Sequence, residues 1–94
     1  MFKDLDPILH NQLRLSIVSI LISVDSAEFS HLLEKTGATR GNLSVQINKL
    51  KGAGYIRVKK SFRNNYPLTT CKIAPDGIVA FEKYVEAISG YINK

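Results

Sequence analysis

Residues 37–63 read Gly37-Ala38-Thr39-Arg40-Gly41-Asn42-Leu43-Ser44-Val45-Gln46-Ile47-Asn48-Lys49-Leu50-Lys51-Gly52-Ala53-Gly54-Tyr55-Ile56-Arg57-Val58-Lys59-Lys60-Ser61-Phe62-Arg63, and this stretch decides the fold. Leu43, Ile47 and Leu50 recur at helical spacing, which predicts an amphipathic helix from Arg40 to Lys51, closed by Gly52 and Gly54. Thr39 supplies an N-cap oxygen, and Gly37 can take the left-handed conformation, so Gly37-Ala38-Thr39 reads as a tight turn into that helix. Beyond Gly54 the period changes to two. Ile56, Val58, Lys60 and Phe62 alternate with Arg57, Lys59, Ser61 and Arg63, a strand with a strongly basic face and with Phe62 expected to point inward. Asn64 and Asn65 tolerate positive φ and mark a turn. Leu68 to Ile73 returns as a second strand, with Pro67 confined to its start or to an edge.

Outward toward the N-terminus, Ser30 is the expected N-cap of a brief helix ending before Gly37, and Ala27-Glu28-Phe29 forms a short strand. Two helices joined by a short turn form a helix-turn-helix, and a basic hairpin directly after it is a wing. Asp6-Pro7 is a helix start, with Asn11 placed to restart the helix after a break near His10. Leu13, Ile17, Ile20, Leu21 and Val24 share one face of this first helix, and Leu15, Val18 and Ile22 share the opposite one. A helix apolar on two faces is buried on two sides. The second face calls for the C-terminal helix, a second subunit, or both.

Outward toward the C-terminus, Pro75-Asp76-Gly77 opens a helix over about residues 75–93. In it Ile78, Phe81, Val85, Ile88 and Ile92 are spaced 3, 4, 3 and 4 apart, a short heptad seam suited to helix pairing. The fold class is therefore mainly α with a small β-hairpin, α+β, a winged helix-turn-helix dimerised through its N- and C-terminal helices. The whole chain, residues 1–94, reads as one domain, marginal in core size unless a partner adds buried area.

Charge is distributed unevenly. The net charge is +5, yet nine of the 13 basic residues lie between Glu34 and Asp76, where no acidic residue occurs. A basic middle between acidic ends attracts polyanions, because neutralising phosphates releases condensed counterions. A merely solvated basic surface is the other reading of charge alone. At 45% hydrophobic and 22% charged, the composition excludes a disordered chain. Cys71 is the only cysteine, and Met1-Phe2-Lys3-Asp4 is unlike the start of a signal peptide, so a reducing, cytoplasmic compartment is expected. The longest uncharged apolar run near it, Leu15 to Val24, falls well short of the roughly 20 residues of a membrane span. No membrane partner is expected.

Three further stretches complete the pattern. They are Leu5-Asp6-Pro7-Ile8-Leu9-His10-Asn11-Gln12-Leu13-Arg14-Leu15, then Gly41-Asn42-Leu43-Ser44 with Leu50-Lys51-Gly52-Ala53-Gly54-Tyr55-Ile56, and Lys60-Ser61-Phe62 with Pro67-Leu68-Thr69-Thr70. Together they resemble the winged-helix transcriptional regulators of the MarR/ArsR kind, and within them a compact single-domain archaeal and bacterial group. The resemblance covers nearly the whole chain. It implies a dimeric regulator on a pseudo-palindromic operator, with the recognition helix in the major groove, the wing at the backbone or minor groove, and the terminal helices making the dimer. Leu15, Val18, Ile22, Ile78, Phe81, Val85, Ile88 and Ile92 are the expected dimer residues. Two positions depart from the family pattern. The wing tip is Arg63-Asn64-Asn65-Tyr66 where glycine and basic residues are usual, and Ala74 stands where a capping Thr is usual.

With that context, Thr39, Arg40, Asn42, Ser44, Val45, Gln46 and Lys49 are the expected DNA-binding residues of the recognition helix. Arg and Gln pair bidentately with guanine and adenine edges, and Val touches a thymine methyl. Asn42 can instead assist the cap, and the whole face can be an ordinary solvated one. Lys59, Lys60, Arg63, Asn64 and Asn65 are the expected wing contacts, joined by Lys72. Their charges suit phosphates, although basic residues also protect sheet edges. His10, His31 and Cys71 lack any metal-site spacing, and neither metal nor cofactor is expected. Cys71 reads as a small buried hydrophobe, the alternative being an exposed redox thiolate. No catalytic constellation appears, so the chain is not expected to be an enzyme.

Two rival functions remain at this level. A winged helix that docks proteins would carry large apolar groups on the exposed face of residues 40–49, where only Val45 qualifies. A single-strand binder would interleave aromatics with its basic residues, and only Tyr55, Phe62 and Tyr66 are near. Any small-molecule effector, left undefined, would have to use a groove of the dimer.

Overall fold

The computed structural model describes residues 2–93. In chain order the elements are α1 (Gln12–Leu21), β1 (Ala27–Glu28), α2 (Phe29–Thr36), α3 (Arg40–Gly52), β2 (Ile56–Arg63), β3 (Tyr66–Ile73) and α4 (Pro75–Ile92). Four helices and a three-stranded antiparallel sheet make a winged helix.

The helix expected from Asp6-Pro7 does not form there. One carboxylate oxygen of Asp6 accepts from the Ile8 N–H at 2.8 Å, and its carbonyl accepts from His10 N–H at 2.8 Å, which closes a single turn. An Asp side chain that bonds the backbone two residues on stabilises a turn in place of a helix. Asn11 is the true N-cap, its side chain accepting from Arg14 N–H at 3.0 Å. That turn inserts Leu9, which is fully buried. At its other end α1 stops at Leu21. Ser23 and Val24 bond back only three residues, to Ile20 and Leu21, and Val24 is left 40% exposed, not in the core.

Between α1 and α2 the short strand is present over Ala27–Glu28 only, with Phe29 already in α2, and Ser30 is not a cap. The chain passes from β1 directly into α2 with Glu28 at the N-cap and no side-chain bond there, so Ser30 already lies inside the helix. Gly37 ends α2 at φ 68°. Thr39 caps α3 as expected, accepting from Asn42 N–H at 3.2 Å.

The strand order is β1-β3-β2. β2 and β3 pair from Ile56↔Ile73 to Arg63↔Tyr66, and β1 adds only Ala27↔Cys71 and Glu28↔Thr70. Asn64 and Asn65, at φ 49° and 68°, form the two-residue turn whose twist suits a hairpin. Pro67 lies on β3 beyond the reach of β1. In the alternation set by the turn, its nitrogen is turned away from β2, so no ladder bond is lost.

The core consists of Leu9, Ile17, Val18, Leu21, Leu32, Leu43, Ile47, Leu50, Ile56 and Cys71, with smaller contributors. α1 runs through its middle and packs against α2, α3, β3 and α4. Its own chain thus covers much of both apolar faces. α4 lays Gly77, Ala80, Tyr84 and Ala87 on the domain. Ala74 caps it without a side-chain bond, as the missing Thr implies, and Pro75 begins it. At Gly77 an added Cβ would stand 2.1 Å from the Tyr55 carbonyl oxygen, so only glycine lets α4 approach the exit of α3. The Tyr55 hydroxyl in turn donates to Asp6 at 2.5 Å, tying the N-terminal segment to the same junction.

Candidate nucleic-acid interface

On α3 the buried residues are Leu43, Ile47 and Leu50. Thr39, Arg40, Asn42, Ser44, Val45 and Lys49 are exposed, whereas Gln46 is only half-buried. The first turn of α3 contains no acidic residue. Its free N–H groups and Arg40 therefore place positive potential at the end where an anion is favoured. The Arg40 guanidinium lies 5.9 Å from the centre of the Phe29 ring, a cation–π distance that rests it against α2.

Gln46 is placed differently from the open base-reading side chain expected. Its Oε1 accepts from Arg14 Nη1 at 2.5 Å, and its Nε2 donates to Asn42 Oδ1 at 3.0 Å. Arg14 is held in turn by the carbonyls of Ile8, at 2.6 Å, and Pro7, at 3.4 Å. Sequence reasoning gave Arg14 no role. The available signal was that it is the one charged residue of α1, a helix that buries Ile17, Val18 and Leu21 in the core. Charge on such a helix calls for a partner.

The hairpin register divides the basic wing residues between two faces. Lys60 and Phe62 share a face with Ile56 and Val58, and Arg57, Lys59 and Arg63 occupy the other with Lys72, which pairs with Arg57. Lys60 borders a cleft of about 110 Å³ lined by Phe29, Ser44, Ile47, Asn48, Val58 and Thr69, so it adjoins α3. On the other face Arg63 forms an ion pair with Glu28 at 2.7 Å. Asn64 and Asn65 are exposed at the tip. Phe62 does not point inward: it is 75% exposed, as is Tyr66. Beyond Lys60, which still adjoins α3, the hairpin outruns the body of the domain and leaves Phe62 exposed.

Of the terminal-helix residues, Val18 is fully buried within the chain and offers no surface to a partner. It packs into the core because α1 is surrounded by its own chain. Leu15 and Ile22 are half-buried, as are Phe81 and Ile88, which pack partly on the core. Ile78, Val85 and Ile92 remain exposed along α4. Cys71 is fully buried, and burial pushes its thiol up to about 11, far from a reactive thiolate. Among the described residues no group of three or more His, Cys, Asp or Glu could hold a metal, and no helix is long and apolar enough to cross a membrane.

Known proteins are similar to this chain in sequence and fold. The chain is 35% identical over 81 residues to an uncharacterised protein of Methanocaldococcus jannaschii, covering 86% of this chain and 88% of that one. It superposes with a TM-score of 0.84 on the structure of a transcriptional regulator homologue from Pyrococcus horikoshii, at 27% identity, covering 92% of this chain and 85% of that one. A protein of Enterococcus faecalis assigned to the MarR family of transcriptional regulators has the same fold, with a TM-score of 0.74 at 14% identity and coverage of 89% and 74%. The model of the winged helix DNA-binding domain family matches residues 13–92, from the start of α1 to the end of α4. The chain therefore belongs to the winged helix DNA-binding domain family, whose members bind DNA and are not enzymes.

Proposed function

We propose that the chain is a sequence-specific transcriptional regulator that binds double-stranded DNA as a homodimer on a pseudo-palindromic operator. In this reading α3 enters the major groove, and Lys59, Lys60, Arg63, Asn64 and Asn65 meet the flanking backbone. The observation that carries it is the junction of α3 with the hairpin. Lys60 borders one cleft with Ser44 and Asn48, joining the exposed polar row of α3 to the basic wing. That segment is also the one with nine basic and no acidic residues.

Homodimer formation is supported by the two heptad faces of α4. Gly77, Ala80, Tyr84 and Ala87 are used within the chain, which leaves Ile78, Val85 and Ile92 facing outward at 38%, 44% and 71% exposure. The whole chain, residues 1–94, acts as one domain in the cytoplasm, with the helix over about residues 75–93 supplying the dimer contact. The exposed aromatics Phe62 and Tyr66, one on each face of the hairpin, favour a second reading, a wing that docks a protein.

Titration of labelled duplexes at several salt concentrations separates the two. Regulation through DNA predicts tight duplex binding whose log affinity falls linearly with log salt, with a slope of about −0.9 per phosphate contact. Lys59→Ala should flatten that slope. Absence of salt-dependent duplex binding would leave the protein-docking reading.

A further inference from the structure

We propose that Arg14 is a positioning residue of the recognition surface: it orients the amides of Gln46 and Asn42 so that Asn42 offers only its donor end to the bases. This rests on the reading of α3 as the base-reading helix. A guanidinium has donors and no acceptor, so the Gln46 atom facing Arg14 at 2.5 Å must be its oxygen. The Gln46 nitrogen that remains can only donate, so the Asn42 atom at 3.0 Å must also be the oxygen. One cation thus fixes both amide orientations in sequence.

Arg14 is itself fixed. Its Nε and Nη2 donate to the carbonyls of Ile8 and Pro7, in the turn that Asp6 closes, and its backbone N–H is bonded by the Asn11 cap. No carboxylate pairs with it among the described residues. The line from turn to Arg14 to Gln46 to Asn42 therefore joins the start of α1 to the exposed face of α3.

The consequence is a base preference. An unrestrained Asn pairs with adenine by accepting from N6 and donating to N7. Here the Asn42 oxygen already accepts from Gln46 on an exposed face, so the NH2 group is the end of the amide left free of that tie. Two donors match guanine, whose O6 and N7 are both acceptors.

Selection from random duplex DNA, run in parallel with the wild type, Arg14→Ala and Gln46→Glu, tests this. The wild type should enrich guanine at one position of each half-site. Arg14→Ala should lose about tenfold of the guanine-over-adenine preference there, since both amides become free to turn. Gln46→Glu keeps an acceptor for Arg14, so the tie and the fold survive. Its carboxylate cannot donate to Asn42, whose amide should then turn over and present oxygen outward. The preferred base should change to adenine or cytosine, which carry an amine in the major groove.

Three results would overturn the proposal. Both variants could retain the wild-type preference, in which case the tie only supports the fold. Alternatively, Arg14→Ala could weaken all duplexes equally with a flatter salt slope, in which case Arg14 touches phosphate itself. A wild type that enriches no motif overturns the base-reading role of α3, and this inference with it. An enriched motif that the variants leave unchanged overturns only this inference.

Discussion

Two glycines of α4 should respond oppositely to a methyl group. At Gly77 the new Cβ meets the Tyr55 carbonyl oxygen at 2.1 Å, and neither backbone can give way locally. Gly77→Ala is expected to cost about 1–3 kcal/mol in a urea unfolding titration, the range for overpacking. Gly90 has nothing within 4 Å, so Gly90→Ala should gain about 0.5–1 kcal/mol from helix propensity alone. Equal effects at the two sites would deny the close approach. Alkaline pH offers a second test. Burial raises Cys71 from its ordinary 9.0 to about 11, and burial with the Asp6 hydrogen bond raises Tyr55 from 10.0 to about 12. Both folded values lie above the unfolded ones. Their contribution is therefore complete below about pH 9 and declines as pH rises toward 12, because the unfolded chain loses these protons first. Cys71→Ala should make the decline between pH 9 and 11 shallower. An unchanged pH profile would mean that the thiol is not protected in the folded state. Thr39, Asn64 and Asn65 were legible because a cap and a two-residue turn are local. The environments of Val18, Gln46 and Phe62 were not, since each depends on what lies beside it from elsewhere in the chain.

At the scale of elements, the wing is tethered before it meets any ligand. Arg63 on β2 pairs with Glu28 at the end of β1, and a phosphate contact by Arg63 would have to compete with that carboxylate. Glu28→Gln is accordingly expected to strengthen binding to operator and random duplex by the same factor. Arg63→Ala should weaken both equally and flatten the salt slope by about one unit per phosphate lost. A Glu28→Gln variant indistinguishable from wild type would show that Arg63 makes no DNA contact. The helix α3 and the hairpin could be read from sequence because their periods, 3.6 and 2, are sustained and punctuated by glycine and asparagine. The ends of α1 could not. Asp6-Pro7 fits a helix start and a closed turn equally well, and the downstream Asn11 cap decided between them. Likewise the alternation of β2 set Phe62 on the inward face without saying how far along the hairpin that face stays against α3. The register and the cleft beside Lys60 supply that.

For the whole molecule, the surface left over after folding is informative. The heptad spacing of α4 was plain in the sequence, but not that a second row, Ala80, Tyr84 and Ala87, would take the inward side. Ile88 packs partly on the core, so a charge there would confound folding with assembly. Val85, 44% exposed, is the cleaner site. Val85→Asp should shift sedimentation from dimer to monomer while leaving the unfolding midpoint of the monomer nearly unchanged. A wild type that sediments as a monomer at tens of micromolar would contradict the dimer. A two-fold dimer imposes its symmetry on the DNA it reads, and this joins both halves of the account. The most direct measurement is therefore the sequence of duplexes that the wild-type protein selects from a random pool. The expected result is an inverted repeat with half-site centres about 10 bp apart, or a multiple of that. Enrichment of a single asymmetric site, or of none, would contradict it.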